Sequence, residues 1–407
     1  MRSIEIQQDR CCTELPECAT AAGASCGGEP LPVLACLVQQ TLADIPTTDN
    51  QDIFFHEMDC MSFQVTVRPS GRVFSVEPDE AVLAAALRQG INLPYGCKDG
   101  ACGSCKSKVL QGQFHQGAHS TSALSAAEQK QGYALLCCAM PESDLEVESR
   151  EVLGAGDFPV KKMPTRIASI QKPAADVAIM QLQLPANERP QYHAGQYLEF
   201  ILKDGSRRSY SMASAPHLAE KLELHIRHMP GGKFTDALFG ASEPALKERD
   251  IMRVEMPLGT FFLREDSNKP IVLLASGTGF APIKAMIEHA IYKKIAQPMY
   301  LYWGCRSRRD LYLHDTALAL VQQATQQGLT LSYTPVLSEP KAGDDWQGRT
   351  GLVHQAVMQD MTDLSGYQVY ACGAPIMVES ARADFTRQRG LPAEEFYADA
   401  FTSAADK

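Results

Sequence analysis

The feature that most constrains this chain is a run of three closely spaced cysteines followed by a distant fourth. Cys97, Cys102 and Cys105 lie in the string YGCKDGACGSCK, and Cys137 follows in LLCCAMP. This C-x4-C-x2-C spacing with a remote fourth cysteine is typical of the thiolate ligands of a [2Fe–2S] cluster. Because three of the four ligands come from one short segment, that segment must fold as a tight loop around the cluster.

Glycines within this loop support the same interpretation. Gly96, Gly100 and Gly103 can adopt backbone angles that other residues avoid, which lets the chain wrap closely around the sulfurs. A structural zinc site is the alternative. Zinc sites, however, usually combine two separate pairs of ligands, whereas here three cysteines are clustered and the fourth is remote. Spacing alone does not decide whether Cys137 or the adjacent Cys138 is the fourth ligand.

The composition predicts a cytoplasmic protein of two or three domains. The chain has 407 residues and a net charge of −10, which disfavours binding to nucleic acid and is compatible with a protein partner. No apolar run reaches the roughly eighteen residues that span a bilayer. Thirteen cysteines in so long a chain, four of them placed for a cluster, indicate reduced thiols rather than disulfides.

Residues 1–60 differ from the rest of the chain. They hold six of the thirteen cysteines without metal-like pairing, and they lack the basic region and apolar run of a signal peptide. We predict a disordered extension, or a translation start at Met58 or Met61. From Met61 onward, FQVTV and RVFSV alternate apolar and polar residues around the turn RPSG, which predicts a β-hairpin.

Residues 61–152 are predicted to form a small α+β domain around the cluster loop. After the hairpin, DEAVLAAALRQG has the acidic start and terminal glycine of a helix, and KSKVLQGQF and LEVES have the pattern of strands. A second helix is predicted through LSAAEQKQGYALL up to the fourth cysteine. The Gly- and Pro-containing stretch EVLGAGDFPVKKMP then predicts a linker.

Residues 163–264 are predicted to form an antiparallel β-barrel, because TRIASIQKP, VAIMQLQLP, QYLEFIL, RRSYSMAS and KLELHIRHM are short strand-like runs. Arg208 can pair with a pyrophosphate, while Tyr210 on the same strand face can stack on a flat ring beside the hydroxyl of Ser211. In PGGKFT, glycines before a helix can present N–H groups to phosphate. Together the two strings predict a site for a flavin dinucleotide, and the second contributes Gly231, Gly232, Lys233, Phe234 and Thr235.

Residues 265–403 change to alternating strands and helices. The stretch PIVLLASGTGFAPIKAMIEHAIYKK has the pattern of a buried strand, a glycine turn and an amphipathic helix, and PMYLYWGCRS, LTLSYTPVLS and YQVYACGA supply further strands. This alternation predicts an α/β domain with a doubly wound parallel sheet that binds a dinucleotide at the carboxyl ends of its strands. Gly277, Thr278 and Gly279 can bring backbone amides close to a pyrophosphate, with Pro282 at the first helical position.

The order of these motifs resembles that of the ferredoxin–NADP reductase superfamily with a fused N-terminal plant-type ferredoxin domain. The cluster loop, R-x-Y-S, G-T-G-x-x-P, the string Cys372-Gly373-Ala374-Pro375 and an aromatic C-terminal segment match over residues 61 to about 403. With MSFQVTV near its start and FYADAFT near its end, the chain is similar to CDP-6-deoxy-L-threo-D-glycero-4-hexulose-3-dehydrase reductases. Reductase components of ring-hydroxylating and phenol-type oxygenases share this layout.

The resemblance implies roles for individual residues. LLCCAMPESD resembles the ferredoxin pattern C-x-A-x-P-x-S-D, which places the fourth cluster ligand on Cys137. The implied contacts are Arg208 and Tyr210 on the flavin phosphate and ring, Ser211 near flavin N5, Gly232, Lys233, Phe234 and Thr235 on the FAD pyrophosphate, and Gly277, Thr278 and Gly279 on the nicotinamide dinucleotide.

The resemblance also implies roles near the carboxyl terminus. Cys372, followed by Gly373, would border the nicotinamide, and Phe401 would cover the flavin face. Asp399 would act as a proton or charge partner. The alternatives are a small core residue at Cys372 and an ordinary packing contact at Phe401.

These expectations together predict an iron–sulfur flavoprotein reductase. Electrons would pass from NAD(P)H to FAD, then to the [2Fe–2S] cluster and on to a partner protein. That partner is a CDP-6-deoxyhexulose 3-dehydrase or, alternatively, an aromatic-ring or phenol-type oxygenase. A redox-sensing electron carrier is less favoured, because a sensor needs no hydride donor. The resemblance favours NADH, while Arg306, Arg308 and Arg309 leave open a site for the 2′-phosphate of NADPH.

Overall fold

The computed structural model describes residues 62–218 and 220–402. The predictions for residues 1–60 and for a translation start at Met58 or Met61 lie outside the described residues. Within the described ranges, no helix is both long and apolar enough to cross a membrane.

An α+β domain surrounds the cysteine loop, as predicted. Strands β1 (Phe63–Arg68) and β2 (Val73–Val76) form the expected antiparallel hairpin, and α1 (Val82–Arg88) shares their core. The main sheet has the order β2-β1-β7-β3-β5, with β1 parallel to β7. The further elements of this domain are β3 (Lys106–Gln111), β4 (Phe114–Gln116), α2 (Ala126–Lys130), β5 (Tyr133–Leu135), β6 (Ala139–Pro141) and β7 (Leu145–Glu148).

Two glycines divide segments that the sequence predicted to be continuous. The helix predicted through LSAAEQKQGYALL ends at Lys130, and Tyr133–Leu135 instead pairs with β3. Gly132 between them has a φ of 86°, a left-handed angle that ends a helix and suits glycine. The strand predicted as KSKVLQGQF breaks into β3 and β4 at Gly112, which has a φ of 98°.

The second domain is the predicted antiparallel barrel. Its sheet order is β11-β10-β13-β8-β9-β12, and a bridge between Met212 and Leu224 joins the two ends of the sheet. The predicted linker is shorter than expected, because Lys161 already pairs with Met256, and β13 was not identified from the sequence. The elements are β8 (Lys161–Ala174), β9 (Val177–Gln183), β10 (Tyr197–Ile201), β11 (Arg207–Ser211), β12 (Lys221–Arg227), α3 (Lys233–Phe239) and β13 (Ile251–Leu258).

The third domain is the predicted doubly wound sheet, with six parallel strands in the order β17-β16-β15-β14-β18-β19. Leu273 packs in a core with α4 and α5, and the next residue, Leu274, packs with α6 and α7. The elements are β14 (Ile271–Ser276), α4 (Phe280–Lys293), β15 (Met299–Cys305), α5 (His314–Gln326), β16 (Leu331–Leu337), β17 (Arg349–Thr350), α6 (Val353–Asp360), β18 (Gln368–Gly373), α7 (Pro375–Gln388) and β19 (Phe396–Ala400).

One detail of the nucleotide domain differs from the prediction. Gly277–Gly279 forms a 3-10 turn that continues directly into α4 at Phe280. Pro282 is therefore the third residue of α4 rather than the first. The N–H group that proline lacks has no intrahelical partner at this position in any helix, so the helix tolerates it there.

Candidate active site

A cavity of about 920 Å³ lies where the three domains meet. Its volume is at the upper end of the range of about 300–1,000 Å³ found for small-molecule and cofactor sites. Its wall combines β11 and α3 of the barrel, the carboxyl ends of β14 and β18, and the cysteine loop. The predicted site residues that line it are Cys97, Arg208, Tyr210, Ser211, Gly231, Gly232, Lys233, Phe234, Thr235, Gly277, Thr278, Gly373, Asp399 and Phe401.

Two adjacent arginines of β11 have different surroundings. The guanidinium of Arg207 lies 2.7 Å from Glu199 and also pairs with Glu255. Arg208 lines the cavity, and no carboxylate of the described residues lies within ion-pair distance of it. A guanidinium without a carboxylate partner at a cavity wall is suited to an anionic group such as phosphate.

Aromatic rings form the neighbouring part of the wall. The ring centroids of Tyr210 and Phe234 are 5.4 Å apart, and Phe234 stacks on Phe200 at 4.7 Å. Burial raises the pKa of the Tyr210 hydroxyl, which therefore stays protonated. A flat apolar ring can pack against this group of side chains.

Ser211 and Asp399 meet although they belong to different domains. The hydroxyl of Ser211 donates a hydrogen bond of 3.3 Å to Oδ2 of Asp399. Burial and the negative charge of Cys102 raise the pKa of Asp399 to about 7, and the hydrogen bond from Ser211 only partly offsets this. A carboxyl group with such a pKa can hold or release a proton near neutral pH.

The turn between β14 and α4 is fixed by a close backbone approach. Gly277 has a φ of 52°, and its carbonyl accepts a hydrogen bond of 2.9 Å from Nε1 of Trp303. A Cβ atom on Gly279 would lie only 2.1 Å from the carbonyl oxygen of Cys372. Gly277 and Thr278 therefore face the cavity, while Gly279 packs against β18 behind them.

Cys372 and Phe401 lie at different depths. The thiol of Cys372 is fully buried in the core of the nucleotide domain, and the adjacent Gly373 lines the cavity in its place. Phe401 is half-buried and lines the cavity, and its N–H group donates a hydrogen bond of 2.8 Å to the carbonyl of Gly373. The structure thus brings Phe401 to the cavity and leaves the Cys372 side chain behind the wall.

The four predicted cluster ligands form two pairs of thiols. The N–H groups of Cys97 and Cys102 each donate to the sulfur of the other at 3.3 Å. The Cys105 thiol raises the pKa of the Cys137 thiol through a side-chain interaction, and Sγ of Cys137 also lies 3.6 Å from Sγ of Cys138. Two pairs suit a cluster of two irons that is held by four thiolates. Among the residues that the structure describes, no three His, Cys, Asp or Glu side chains are grouped closely enough to hold a single metal ion.

The cysteine loop is hydrogen-bonded directly to the barrel. The hydroxyl of Tyr197 donates a bond of 2.7 Å to the carbonyl of Gly96, at the start of the loop. Tyr197 is paired with Ser211 across β10 and β11, so one buried side chain connects the strand of Ser211 with the cysteine loop. A second contact is the 3.0 Å hydrogen bond from the N–H of Gly259 to the hydroxyl of Tyr95.

The sequence analysis did not identify Tyr197 or Arg227 as site residues. Arg227 on β12 lines the cavity and lies 3.6 Å from Asp176, and a Cβ atom on Gly277 would be 3.4 Å from its Nη2 atom. A cation of the barrel thus covers the nucleotide turn. The position of Arg227 just before the PGG string was a usable sequence signal. The role of Tyr197 depends on strand register, so no local sequence pattern indicated it.

Comparison with known proteins gives the same division of the chain. Three family profiles match: a 2Fe-2S iron–sulfur cluster binding domain over residues 65–142, an oxidoreductase FAD-binding domain over residues 164–263, and an oxidoreductase NAD-binding domain over residues 273–383. These matches confirm the three predicted cofactors: a [2Fe–2S] cluster, FAD and a nicotinamide dinucleotide.

The matches to individual relatives extend over nearly the whole length of each relative. The chain is 39% identical over 343 residues to the CDP-6-deoxy-L-threo-D-glycero-4-hexulose-3-dehydrase reductase of Yersinia pseudotuberculosis, a match that covers 84% of this chain and 99% of that protein. It is 33% identical over 346 residues to reductase component 1 of terephthalate 1,2-dioxygenase from Comamonas sp., covering 84% and 98%. The solved structure of the Amycolatopsis cytochrome P450 reductase GcoB matches with a TM-score of 0.66 and 33% identity, over 84% of this chain and 99% of that one.

Proposed function

Because this chain belongs to the family of reductases that join a [2Fe–2S] domain to FAD- and NAD-binding domains, we propose that it supplies electrons to a CDP-6-deoxyhexulose 3-dehydrase. The family assignment makes the chain an NAD(P)H-dependent oxidoreductase that transfers electrons through FAD and the cluster to a partner protein. One observation carries the choice of acceptor: 39% identity to a reductase of that dehydrase, against 33% to a dioxygenase reductase of equal coverage.

The barrel wall of the cavity fits FAD. When bound, FAD accepts two electrons from a nicotinamide and can release them singly, as a [2Fe–2S] cluster requires. Arg208 would offer a guanidinium without a carboxylate partner to a phosphate of FAD, and Tyr210 would pack against the flavin ring. The N–H groups of Gly231 and Gly232 are bonded to Asp236 and Met229, so the pyrophosphate would be held by the N–H groups of residues 233–235 at the start of α3.

Ser211 and Asp399 stand at the reacting edge of the flavin in this proposal. Their side chains are almost completely buried, with 6% and 9% of their surfaces exposed, so bulk water has little access to them. The Ser211 hydroxyl is oriented by its hydrogen bond to Asp399. Asp399 holds or releases a proton near the flavin as the charge of the cavity changes.

The wall formed by the nucleotide domain is assigned to the nicotinamide dinucleotide. Gly277 and Thr278 would present their backbone to its pyrophosphate, and Arg227 would add a positive charge next to the turn. Gly279 contributes by allowing the turn to pack tightly on β18. Cys372 supports this wall from behind in the present arrangement and borders the nicotinamide only if the wall adjusts on binding.

NADH is the proposed electron donor. Of the three arginines that the sequence offered for a 2′-phosphate, Arg308 is held by Asp344 and Arg309 is exposed beside Asp310. Arg306 is the member of this group that lines the cavity, so a 2′-phosphate site would depend on this residue alone. The choice of NADH follows from the resemblance. A kcat/KM for NADPH equal to or above that for NADH would contradict this choice.

The cluster ligands are assigned to Cys97, Cys102, Cys105 and Cys137, and the acceptor is expected to dock on the domain that carries them. The interaction of the Cys137 thiol with that of Cys105 supports Cys137 as the fourth ligand, and Sγ of Cys138 lies 3.6 Å from the same sulfur. Because thiolate ligands must remain reduced, we also propose that the protein works in the cytoplasm.

Reconstitution with purified acceptors tests the proposed function. The holoenzyme and NADH are combined either with a pyridoxamine-phosphate-dependent CDP-6-deoxyhexulose 3-dehydrase and its sugar substrate, or with a Rieske or non-haem iron oxygenase and its aromatic substrate. We expect NADH oxidation that depends on the dehydrase and its substrate. Faster turnover with the oxygenase would assign the chain as an oxygenase reductase. Reduction of cytochrome c in parallel shows that the reductase itself is active in both assays.

A further inference from the structure

A buried charged cluster lies where α4 of the nucleotide domain packs on the barrel. Lys284 on α4 is 8% exposed, and its ammonium lies 2.7 Å from Glu288 on the same helix and 3.2 Å from Glu223 on β12. It also donates a hydrogen bond of 3.1 Å to the carbonyl of Ala213. All three donors of the ammonium therefore have partners. Lys284, Glu223 and Glu288 are named the interdomain clamp.

The clamp holds the segment of the barrel that follows Ser211. While Lys284 binds the carbonyl of Ala213, Oε2 of Glu288 accepts a hydrogen bond of 3.2 Å from the N–H of Ala215. Two contacts from one helix thus fix the main chain of residues 213–215. Because these residues directly continue β11, the clamp also limits where the Ser211 hydroxyl can lie.

The same helix begins at the nucleotide turn. The α4 helix starts at Phe280, immediately after Gly277–Gly279, and Lys284 lies just over one turn further on. A hydrogen-bonded helix is stiff over such a length, so a contact that fixes Lys284 also fixes the turn. The clamp therefore links the strand of Ser211 to the turn of Thr278 by a short, rigid path across the cavity.

The hydrogen bonds around the clamp define one arrangement of protons. Burial opposes ionisation of Glu223, but the hydrogen bond from His225 and the charge of Lys284 lower its pKa to about 2, so its carboxylate only accepts. Burial lowers the pKa of His225, which is therefore neutral. Its Nε2 must donate to Glu223 at 3.0 Å, which leaves Nδ1 to accept from the hydroxyl of Tyr312 at 2.8 Å. Directed bonds of this kind hold one relative orientation of the two domains.

We propose that Lys284 is a positioning residue for the reduction of FAD by NADH, because it fixes the nucleotide turn relative to the strand that carries Ser211. In that reaction a hydride, with both electrons of its bond, moves from NADH to FAD, and NAD⁺ is released. The proposal rests on the assignment of this cavity to the two cofactors and is independent of which protein accepts the electrons. A displacement of the reacting atoms by about 1 Å is enough to slow a reaction about a hundredfold.

The test compares four holoenzymes that are mixed anaerobically with NADH: the unmodified protein, Lys284→Met, Lys284→Arg and Lys293→Met. Lys293 is an exposed lysine of the same helix and provides the matched control. In Lys284→Met we expect the first-order rate of flavin reduction to fall by about tenfold or more, with little change in the Kd for NADH. Lys284→Arg should restore most of the rate, and Lys293→Met should not differ from the unmodified protein.

A spectroscopic measurement separates positioning from a general loss of activity. Reduced flavin and NAD⁺ form a charge-transfer absorbance band only when their rings are stacked, and the band requires no turnover. We expect the band to weaken in Lys284→Met and to persist in Lys284→Arg and Lys293→Met. A normal rate and a normal band in Lys284→Met would overturn the proposal, as would a rate in Lys284→Arg as low as that in Lys284→Met.

A second variant keeps the proposal testable if Lys284→Met does not fold. Flavin content and the unfolding temperature first show whether Lys284→Met is folded. Glu288→Gln keeps the volume of the side chain and removes one charge of the clamp, so it is then measured in the same way. A reduced rate with an unchanged Kd for NADH supports the proposal, and an unchanged rate overturns it. Since no acceptor protein is present, failure of the proposed acceptor would not affect either result.

Discussion

Cys137 and Cys138 are adjacent thiols that only their surroundings distinguish. The Cys137 thiol interacts with that of Cys105, whereas the Cys138 thiol interacts with Cys137, at 3.6 Å between the two sulfurs. We expect Cys137→Ser to lose the visible absorbance of the cluster and the EPR signal of its reduced form, and Cys138→Ser to retain both. A Cys138→Ser protein without these signals, beside a Cys137→Ser protein that keeps them, would move the ligand assignment by one residue.

Cys102→Ser distinguishes electron transfer through FAD alone from electron transfer that also requires the cluster. The hydroxyl of serine is a poor replacement for a thiolate on iron, while the barrel and nucleotide domain keep their own cores. We expect the variant to lose electron delivery to a protein acceptor and to retain NADH-dependent reduction of ferricyanide through FAD. Cys138→Ser is the control for loss of a neighbouring thiol. If Cys102→Ser reduces the protein acceptor at the normal rate, the cluster is not on the electron path.

Asp399 leads to a prediction for pH dependence. Burial and the charge of Cys102 raise its pKa to about 7, so the carboxyl is neutral below that pH and charged above it. A neutral carboxyl accommodates the negative charge that enters the cavity with a hydride, and a charged one repels it. We expect the rate of flavin reduction by NADH to fall as the pH rises through 7, and Asp399→Asn to remove this step. A step that persists in Asp399→Asn would assign the titration to another group.

At the scale of elements, local patterns predicted the kind of element better than its ends. The β1–β2 hairpin and α1 were predictable because alternation, turn residues and a terminal glycine all lie within a few residues of one another. The end of α2 was not, because β5 is stabilised by pairing with β3, which is remote in the sequence. Strand β13 was missed since Pro257 near its end weakens the pattern, and its place between β8 and β10 depends on tertiary pairing.

The residues of the candidate site also fall into those that the sequence could predict and those that it could not. Motifs that depend on the local backbone, such as R-x-Y-S, the PGG string and Gly277, were predictable and line the cavity. Residues that act through a contact between domains were not: Tyr197 reaches the cysteine loop and Lys284 reaches the barrel only in the folded chain. The depth of Cys372 could not be predicted either, because a thiol at a strand end is compatible with both a cavity wall and a core.

Gly279 provides a prediction for the element that joins β14 to α4. A Cβ atom there would lie 2.1 Å from the carbonyl oxygen of Cys372, so Gly279→Ala must push the turn away from β18. We expect a loss of about 1–3 kcal/mol in the free energy of unfolding and a higher KM for NADH. Denaturant titration and steady-state kinetics measure both.

Gly366→Ala is the matched control for this substitution, because no atom lies within 4 Å of the Cβ position at Gly366. Alanine at an unstrained glycine position normally stabilises a protein slightly, so any loss in Gly279→Ala reflects the contact with Cys372. A Gly279→Ala protein as stable as the unmodified one would show that β18 can move aside without cost.

At the scale of the whole molecule, the three domains share one cavity. Thr278 of the nucleotide domain, Ser211 of the barrel and Cys97 of the cysteine loop all line it. In the proposed assignment, the sites for the electron donor, the flavin and the cluster share this cavity, and internal transfer would need no large domain movement. What the arrangement does require is that the cysteine loop stay docked on the barrel, and buried hydrogen bonds from Tyr197 and to Tyr95 provide that contact.

Tyr197→Phe tests this docking with the smallest possible change. It keeps the buried ring and removes the hydroxyl that binds the carbonyl of Gly96, next to the first predicted cluster ligand. A buried hydrogen bond contributes about 0.5–1.5 kcal/mol, so we expect reduction of cytochrome c through the cluster to slow about two- to tenfold relative to reduction of ferricyanide through FAD. Tyr302→Phe is the control, because its hydroxyl donates a bond of 2.9 Å to Asp360 within the nucleotide domain. Both variants should keep a full cluster content by EPR. If the ratio of the cytochrome c rate to the ferricyanide rate is unchanged in Tyr197→Phe, electron transfer from the flavin to the cluster does not depend on this contact. A lower ratio in Tyr197→Phe, with an unchanged ratio in the control, would show that docking of the cysteine loop limits electron transfer through the cluster.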